Sequence, residues 1–401
     1  MKILLVTPDY PPNCGGGGIV AYHVSTGISS KGHEIVVITG SLEDNFKVEH
    51  KNNLKIIRVP MGAVYLRHII PSIIYSLPPR WRYIKFLKKF PYDDYDVIHL
   101  FAIPTHLLVD IVGIFASKKR QETKIISTIH AFPNYISRKG ILPRTLEIAY
   151  KLYLLTIGKQ IKTESDILTT VSYSTKKDAI ALKYSSKSIR VIPNGVEIKT
   201  RSEDNKILKL NLKKRDIVIT SIGRIVKHKG FEFAISAMKE VIEKYPNVKY
   251  VIIGKPINLS YFNYLKELTR KYHLEETVLM TGHISEAKKY QLLARSKIYL
   301  SPSLSEGFGL TLLEAMSLGI PVIATDIKGH RDIIKHLKNG VLVKPRDADA
   351  IKDAIDMLLS NQKLYKSISV RGQKESLKYS WDNIISLYLE LYKNSLGDRH
   401  D

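Results

Sequence analysis

The sequence lacks the residues and segments on which several classes of protein depend. Its 401 residues include one cysteine, Cys14, which excludes a disulfide framework and a cysteine-based zinc site. The segment that comes nearest to a long apolar run, Leu100 to Ala116, is interrupted by proline, histidine and aspartate, so we expect no membrane-spanning helix. The opening MKILLVTPDY resembles a buried strand rather than a cleavable signal peptide. These absences predict a cytoplasmic protein.

Acidic residues are also scarce. The chain has 38 Asp and Glu against 62 Lys and Arg, a formal net charge of +24, which favours anionic partners such as nucleic acid, membrane surfaces or phosphorylated substrates. The excess is local, because the segment 62–90 has no acidic residue. Its basic residues are Arg67, Arg80, Arg82, Lys85, Lys88 and Lys89. Its aromatic residues are Tyr65, Tyr75, Trp81, Tyr83, Phe86 and Phe90.

Basic and aromatic side chains together suit a surface that lies on an anionic bilayer. A second segment, 138–162, has a similar composition. We therefore expect association with the inner face of a membrane, and we keep an acceptor-binding or ordinary solvated face as the alternative. No recognised nucleic-acid motif is present, so we expect no nucleic-acid partner. The oligomeric state is left open.

Short apolar runs alternate with helical patterns along the whole chain, which predicts parallel α/β sheets. In the first half we expect strands at 2–8, 34–39, 97–100, 124–130, 167–171 and 189–192. In the second half we expect strands at 216–222, 249–254, 277–282, 298–302 and 321–325. Because the alternation of strands and helices occurs in both halves, it predicts two Rossmann-like domains, residues 1–193 and 194–380, that face each other across a cleft.

The most informative segment contains two glutamates, Glu306 and Glu314, on either side of a glycine-rich turn and a helical pattern. Gly307 and Gly309 allow a tight turn and close approach to a ligand. The following helix would offer its N-terminal amides to a diphosphate. The carboxylates would suit uncharged hydroxyl groups, so the segment predicts a nucleotide-sugar site.

This segment, SEGFGLTLLEAMSLGIPVIAT, resembles the signature of the retaining glycosyltransferases of family 4 (glycosyl transferases group 1), which have the GT-B fold. Further blocks occur in the family's order over nearly the whole chain. They are GGGGIVAYHVSTGISSKGHEIVVIT, IPNGV, SIGRIVKHKGFEFAISA and KHLKNGVLVKPRD. The resemblance implies a hexosyltransferase that works without a metal or other cofactor. It also implies that a last helix, 381–396, packs back on the first domain.

The resemblance assigns roles to residues of the first domain. The loop after the first strand would lie against the transferred sugar and phosphates, with Gly15 and Gly16 as the matching glycine pair. Four consecutive glycines at 15–18 agree with backbone that passes close to a ligand. His130 would contact the donor sugar near the reacting carbon. His99, at the end of the neighbouring strand, is a rival position.

In the second domain the resemblance assigns the diphosphate to Gly223, Arg224 and Lys229, with Lys227 as an alternative lysine. An Arg fork and a Lys point charge would neutralise the leaving group. Glu306 would lie beside the transferred sugar and Glu314 would hold the ribose hydroxyls. The remaining donor contacts are Gly282, His283, Ile284, Gly307, Phe308, Gly309, Leu310 and Thr311.

The family's favoured account is front-face substitution with retention, in which a donor phosphate oxygen helps to deprotonate the acceptor. Lys255–Pro256 stands where the family commonly has a second glycine after Gly254, so the base, like the sugar and the linkage, is left open. We expect transfer of a hexose from a nucleoside-diphosphate sugar to a hydroxyl of a lipid or lipid-linked glycan. The alternatives are a sugar-nucleotide 2-epimerase of the same fold and a basic nucleic-acid-binding protein.

Overall fold

The computed structural model describes residues 1–7, 10–12, 14, 16–41, 45–60, 85–87, 89–102, 123–130, 165–199 and 212–397. Gly15, the segment 138–162 and most of the basic segment 62–90 lie outside these residues. The chain divides into two compact units, Met1–Gly195 with Trp381–Asp401 and Val196–Ser380. Among the described residues, no helix combines the length and the apolarity needed to cross a membrane.

The first unit contains a parallel sheet with one antiparallel edge. Its strands are β1 (Lys2–Thr7), β2 (Glu34–Ser41), β3 (Lys47–Lys51), β4 (Leu54–Pro60), β5 (Val97–Ala102), β6 (Lys124–Ile129), β7 (Ile167–Thr170) and β8 (Ile189–Val191). The strand order is β3-β4-β2-β1-β5-β6-β7-β8. Only the edge pair β3–β4 is antiparallel. In β1, Ile3, Leu4, Leu5 and Val6 are fully buried, as expected for a parallel strand that is covered on both faces.

Three described helices accompany this sheet: α1 (Gly16–Ser30), α2 (Tyr173–Ala181) and the C-terminal helix α10 (Trp381–Leu396). The C-terminal helix packs on α1 at a small residue. A Cβ atom at Gly27 would lie 2.0 Å from Cδ1 of Ile385, so this glycine allows the close approach of the two helices. The Trp381 ring stacks on His23 with a centroid distance of 4.4 Å.

The second unit contains a fully parallel sheet. Its strands are β9 (Ile217–Ile222), β10 (Val248–Ile253), β11 (Val278–Gly282), β12 (Ile298–Ser301), β13 (Val322–Thr325) and β14 (Val341–Val343). Their order is β11-β10-β9-β12-β13-β14. The α/β class with two sheets of parallel strands is thereby confirmed.

Seven helices lie among the described residues of this unit. They are α3 (Phe231–Lys244), α4 (Leu259–Lys271), α5 (Glu286–Arg295), α6 (Leu310–Ser317), α7 (Lys328–Arg331), α8 (Ala348–Ser360) and α9 (Gln362–Ser376). Ile235 and Met238 of α3 and Ile351 and Ile355 of α8 are fully buried in one core with the sheet. Asp347 caps α8 by accepting a hydrogen bond from the amide of Ala350, so the acidic DADAIKDAID segment begins a helix.

Candidate functional site

The candidate residues of the second unit follow the carboxyl ends of its strands. Successive strands run outward from β9 in one direction and from β12 in the other. The two strands therefore flank the point where the strand order reverses, which is where open α/β sheets bind ligands. Gly223 and Arg224 directly follow β9, and Glu306 lies on the loop after β12.

Glycines allow the loops after β9, β10 and β11 to touch. A Cβ atom at Gly254 would lie 1.8 Å from the carbonyl oxygen of Gly223, so no side chain fits there. The amide of Gly254 donates to the carbonyl of Gly282 at 3.0 Å. Lys255 does not interrupt this contact, because its carbonyl accepts from the amide of Ile225 at 2.9 Å.

Lys229 is brought to the site by a short 3-10 turn that begins at Lys227. The turn ends at Gly230, which has a φ of 65°, and a Cβ atom there would lie 2.3 Å from the carbonyl oxygen of Pro302. Both the backbone conformation and the space therefore require glycine. Lys227 is exposed, whereas Lys229 turns inward to Glu306. Of the two lysines that the sequence offered, the structure brings Lys229 to the glutamate.

Glu306 lies in a site that favours its charged form. Its Oε1 accepts from the Lys229 ammonium and from Ser303 Oγ at 2.8 Å. Burial by itself would raise the pKa of Glu306, but the Lys229 charge and the hydrogen bonds from Lys229 and Ser303 lower it below its ordinary value. No described residue donates a hydrogen bond to Oε2. Glu306 is therefore an ionised carboxylate with one oxygen available.

Gly329 and the buried His330 support the loop that carries Glu306. A Cβ atom at Gly329 would lie 2.4 Å from the carbonyl oxygen of Glu306. His330 is fully buried, with Nδ1 2.7 Å from the carbonyl of Thr325 and Nε2 3.2 Å from Ser301 Oγ. Because a carbonyl can only accept, Nδ1 carries the proton. Burial lowers the pKa of His330, which keeps the ring neutral.

The glycine-rich turn leads into α6 as predicted. It contains five predicted donor contacts: Gly307, Phe308, Gly309, Leu310 and Thr311. Gly309 has a φ of 92° and precedes the helix without any side-chain cap. The amide of Leu312 donates to the Gly309 carbonyl at 3.0 Å, whereas the amides of Leu310 and Thr311 keep their capacity to bind an anion. Phe308 is buried and its ring lies 5.9 Å from that of Tyr379. Thr311 Oγ1 accepts from the Tyr299 hydroxyl at 2.7 Å.

Glu314 projects from α6 and pairs with Lys289 of α5. Lys289 Nζ lies 3.0 Å from Glu314 Oε1 and 2.7 Å from Glu286 Oε2. Glu314 Oε2 is buried and accepts no hydrogen bond from the described residues. Burial raises the pKa of Glu314, and the opposing effect of Lys289 only partly offsets it. A buried oxygen of this kind is expected to find a donor in a ligand.

The remaining candidates of the second unit lie on its surface. Arg224 is exposed, and its guanidinium forms no ion pair with a described residue. Gly282 has a φ of 69° with open space around its Cβ position. His283 is exposed and Ile284 is half-buried. These groups leave the backbone after β11 open to a planar ligand.

In the first unit the structure brings the glycines that begin α1, where the sequence predicted a loop, to His130. A Cβ atom at Gly17 would lie 3.8 Å from His130 Cδ2, and Gly16 begins α1 with open space at its Cβ position. Gly16, which precedes Gly17 in α1, therefore lies at the same end of this sheet as His130. Gly15 lies outside the described residues.

His99, the rival of His130, is part of the core. Its Nδ1 lies 2.5 Å from the Tyr392 hydroxyl and its Nε2 lies 2.7 Å from Thr128 Oγ1. Burial, with a smaller effect of His130, lowers the pKa of His99 to about 3. A neutral histidine with both nitrogens engaged ties α10 to the sheet and is not available for catalysis.

Sequence reasoning found Lys229, but it missed Lys289 beside Glu314 and His330 behind the loop that carries Glu306. Lys289 shares a helix face with Leu292 and Leu293, which are fully buried. A lysine at three- and four-residue spacing from buried leucines was the signal that could have found it. For His330 no comparable signal exists, because its partner Ser301 is distant in sequence. The glutamates thus do not repel an anion, since each is neutralised by a lysine.

Comparison with known proteins covers both halves of the chain. Residues 14–200 match the family described as Glycosyltransferase Family 4. Residues 202–375 match the family described as Glycosyl transferases group 1.

Similar proteins extend over almost the full length. An uncharacterised glycosyltransferase of Methanocaldococcus jannaschii is 29% identical over 407 residues, which cover 98% of each chain. The phosphatidylinositol N-acetylglucosaminyltransferase gpi3 subunit of Schizosaccharomyces pombe is 24% identical over 99% of this chain and 81% of its own.

Solved structures show the same fold. Sucrose-phosphate synthase of Thermosynechococcus elongatus superposes with a TM-score of 0.80 at 21% identity, over 98% of each chain. Anabaena HepE, solved with UDP and glucose, gives a TM-score of 0.74 at 19% identity, over 98% of this chain and 99% of its own. With both halves matched in order and the GT-B fold in common, the chain belongs to the retaining glycosyltransferases of family 4, which use nucleotide-sugar donors.

Proposed function

We propose that this glycosyltransferase moves a hexose from a nucleoside-diphosphate sugar to a hydroxyl of a lipid or lipid-linked glycan at a membrane surface. The observation that carries the donor half of the proposal is the buried Glu314 Oε2, which lacks a hydrogen-bond partner among the described residues. In this proposal a ribose hydroxyl is that partner, and it donates to the carboxylate in a charge-assisted hydrogen bond.

The diphosphate would bind the two cationic groups after β9. Arg224 is exposed and unpaired with any described acid, so its fork is available to phosphate oxygens. Lys229 lies beside Glu306, where it would contact the phosphate next to the transferred sugar. As the bond between sugar and phosphate breaks, negative charge accumulates on the leaving oxygen, and these cations would stabilise it.

Glu306 would hold the sugar rather than attack it. Its Oε1 is occupied by Lys229 and Ser303, which leaves Oε2 to accept from a sugar hydroxyl. His130, beside the glycines that begin α1, would contact the sugar from its own domain. In the front-face mechanism a donor phosphate oxygen takes the acceptor proton, so no protein base is required.

The acceptor half of the proposal rests on charge. The net charge is +24, and the segment 62–90 combines basic and aromatic residues without an acidic one, which suits an anionic bilayer. The yeast relative carries phosphatidylinositol in its name, which agrees with a lipid acceptor.

The donor is tested by a thermal-shift panel with UDP, GDP, ADP and their glucose, mannose and N-acetylglucosamine derivatives. A ligand at 100 times its dissociation constant adds about 2.7 kcal/mol to the free energy of unfolding. The nucleotides with one base should give the largest shift, and Glu314→Gln should reduce that shift to about half or less. Glu286→Gln is the matched control, because Glu286 also contacts Lys289 but has a side chain 75% exposed. An unchanged shift in Glu314→Gln would contradict the donor role.

The acceptor is tested in a transfer assay with a lipid extract and the radiolabelled form of the nucleotide sugar that gives the largest thermal shift. Label that moves into the organic phase supports the lipid acceptor. Label that moves only into water-soluble glycosides contradicts it. Conversion of the donor sugar to its 2-epimer without any acceptor would favour the epimerase alternative.

A further inference from the structure

Lys289 is a charged residue at a position that helical periodicity assigns to the core. It is 8% exposed, and Leu292 and Leu293 on the same face of α5 are fully buried. A lysine is rarely buried to this extent unless it is paired. An apolar residue would pack here without desolvating a charge, so the ammonium must have a role that packing does not explain.

The ammonium makes contacts on three sides. It donates to Glu314 Oε1 at 3.0 Å, lies 2.7 Å from Glu286 Oε2 and lies 4.7 Å from the centre of the Tyr290 ring. Glu286 is mostly exposed, whereas the Glu314 side chain is 16% exposed. Lys289 is therefore held between a carboxylate at the surface and a carboxylate in the site.

The two oxygens of Glu314 have different surroundings. Oε1 is engaged by Lys289, whereas Oε2 is buried and has no partner among the described residues. A carboxylate with one oxygen fixed cannot rotate freely, so the second oxygen has a defined direction. The ammonium also opposes the rise in the pKa of Glu314 that burial causes.

We propose that Lys289 is a positioning residue for the donor: it holds Glu314 by Oε1 in one orientation, so that Oε2 accepts a hydrogen bond from a hydroxyl of the nucleotide sugar. This inference rests on the proposed donor role of Glu314. Lys289 acts only through Glu314 and touches no reacting atom.

The test is a double-mutant cycle on the dissociation constant of the nucleoside diphosphate that binds best among UDP, GDP and ADP. Lys289→Met and Glu314→Gln should each weaken binding at least tenfold. The double variant should bind no more weakly than Glu314→Gln alone, because Lys289 then has no carboxylate to hold. Lys288→Met is the matched control, because Lys288 is next to Lys289 in the sequence but its side chain is exposed. This variant should bind the nucleotide as the wild type does.

The outcomes separate the two claims. If Glu314→Gln weakens binding but Lys289→Met does not, the inference about Lys289 is overturned and the donor role of Glu314 stands. The conclusion is the same if the loss of affinity in the double variant equals the product of the losses in the two single variants. If Glu314→Gln binds normally, both claims fail. Should Lys289→Met not fold, Lys289→Gln completes the cycle, because an amide fits the site without a buried charge.

A pH profile distinguishes positioning from a structural role. The groups that act on Glu314 are Lys289, Glu286 and Tyr290 from α5, Tyr299 from β12 and Lys199. Without Lys289, burial should raise the pKa of Glu314 further. As the pH falls from 9 to 6, nucleotide binding by Lys289→Met should therefore begin to weaken at a higher pH than binding by the wild type. A parallel profile in both proteins would overturn the inference.

Discussion

At the scale of single residues, two glycines with similar φ values distinguish the energetic cost of a left-handed backbone from the cost of a steric clash. Gly230 and Gly282 have φ values of 65° and 69°. A Cβ atom at Gly282 would meet nothing within 4 Å, whereas one at Gly230 would lie 2.3 Å from the Pro302 carbonyl oxygen. We expect Gly282→Ala to cost about 1 kcal/mol of unfolding free energy from the left-handed conformation alone.

Gly230→Ala should cost more, about 3 kcal/mol or above, because backbone must move in addition. Urea unfolding followed by circular dichroism measures both variants, each compared with the wild type. Equal losses in the two alanine variants would mean that the Pro302 contact does not constrain this turn.

The ion pair between Lys229 and Glu306 makes a prediction about pH. The wild-type pKa of Glu306 is lowered, so its contribution to stability is present above the ordinary value of about 4.3 and is lost as the pH falls through the lower folded pKa. In Lys229→Met, burial should instead raise the pKa of Glu306. The variant should be less stable by about 2 kcal/mol at pH 7, and the difference should shrink towards pH 4.

Thermal midpoints of wild type and variant between pH 7 and pH 4 check this expectation. Lys227→Met is the control, because Lys227 belongs to the same turn but is exposed. A difference that stays constant with pH would show that the loss comes from packing of the lysine stem and not from the charge of Glu306.

At the scale of elements, the C-terminal helix is tied to the first sheet by a buried polar contact. The Tyr392 hydroxyl lies 2.5 Å from His99 Nδ1, and both side chains are fully buried. Tyr392→Phe leaves that nitrogen unsatisfied and should cost about 1–3 kcal/mol. Urea unfolding measures the loss. Tyr173→Phe, at a residue 68% exposed, should cost nothing, and a loss in both variants would point to a general effect of the substitution.

The elements that sequence reasoning found are those with strong periodicity and buried strands. The strand β3, KVEHK, was missed because it is mostly exposed and its register is set by pairing with β4. The strand β4 was missed although most of its residues are buried. The three-residue strand β14 was also missed, although β8, which has the same length, was predicted. The positions of Glu306 and Glu314 could be predicted because a local motif contains them. His330 could not, because its partner Ser301 comes from a distant strand. For Lys289 the only sequence signal was its spacing from Leu292 and Leu293, since its partner Glu314 also comes from a distant segment.

At the scale of the whole molecule, buried histidines should make the protein sensitive to acid. The pKa of His99 is lowered to about 3, whereas in the unfolded chain it is about 6.5. Between these values the unfolded state binds more protons, so stability falls as the pH falls below about 6.5, by about 1.4 kcal/mol per pH unit. His99→Gln should reduce this slope, measured by urea unfolding between pH 6.5 and 5. His50→Gln, at an exposed residue of β3, should leave the slope unchanged.

The net charge of +24 makes a prediction about membranes. We expect the protein to sediment with vesicles that contain phosphatidylglycerol and not with pure phosphatidylcholine vesicles. Binding should weaken between 0.05 and 0.5 M salt, because screening shortens the range of the attraction. Vesicle binding that depends neither on salt concentration nor on lipid charge would contradict an electrostatic origin of the attraction.

A charge-matched pair of variants separates a local surface from the net charge. One variant replaces Arg80, Arg82, Lys85 and Lys89 by Gln. The other replaces four exposed lysines of the second unit by Gln, namely Lys335, Lys338, Lys363 and Lys366. Both lower the formal charge by four, from +24 to +20. If the basic and aromatic segment lies on the bilayer, the first variant should lose most vesicle binding, since each basic residue near the surface contributes about 1 kcal/mol, and the second should lose little. Equal losses would assign the attraction to the charge of the molecule as a whole, and the segment 62–90 would then be a candidate surface for the acceptor instead.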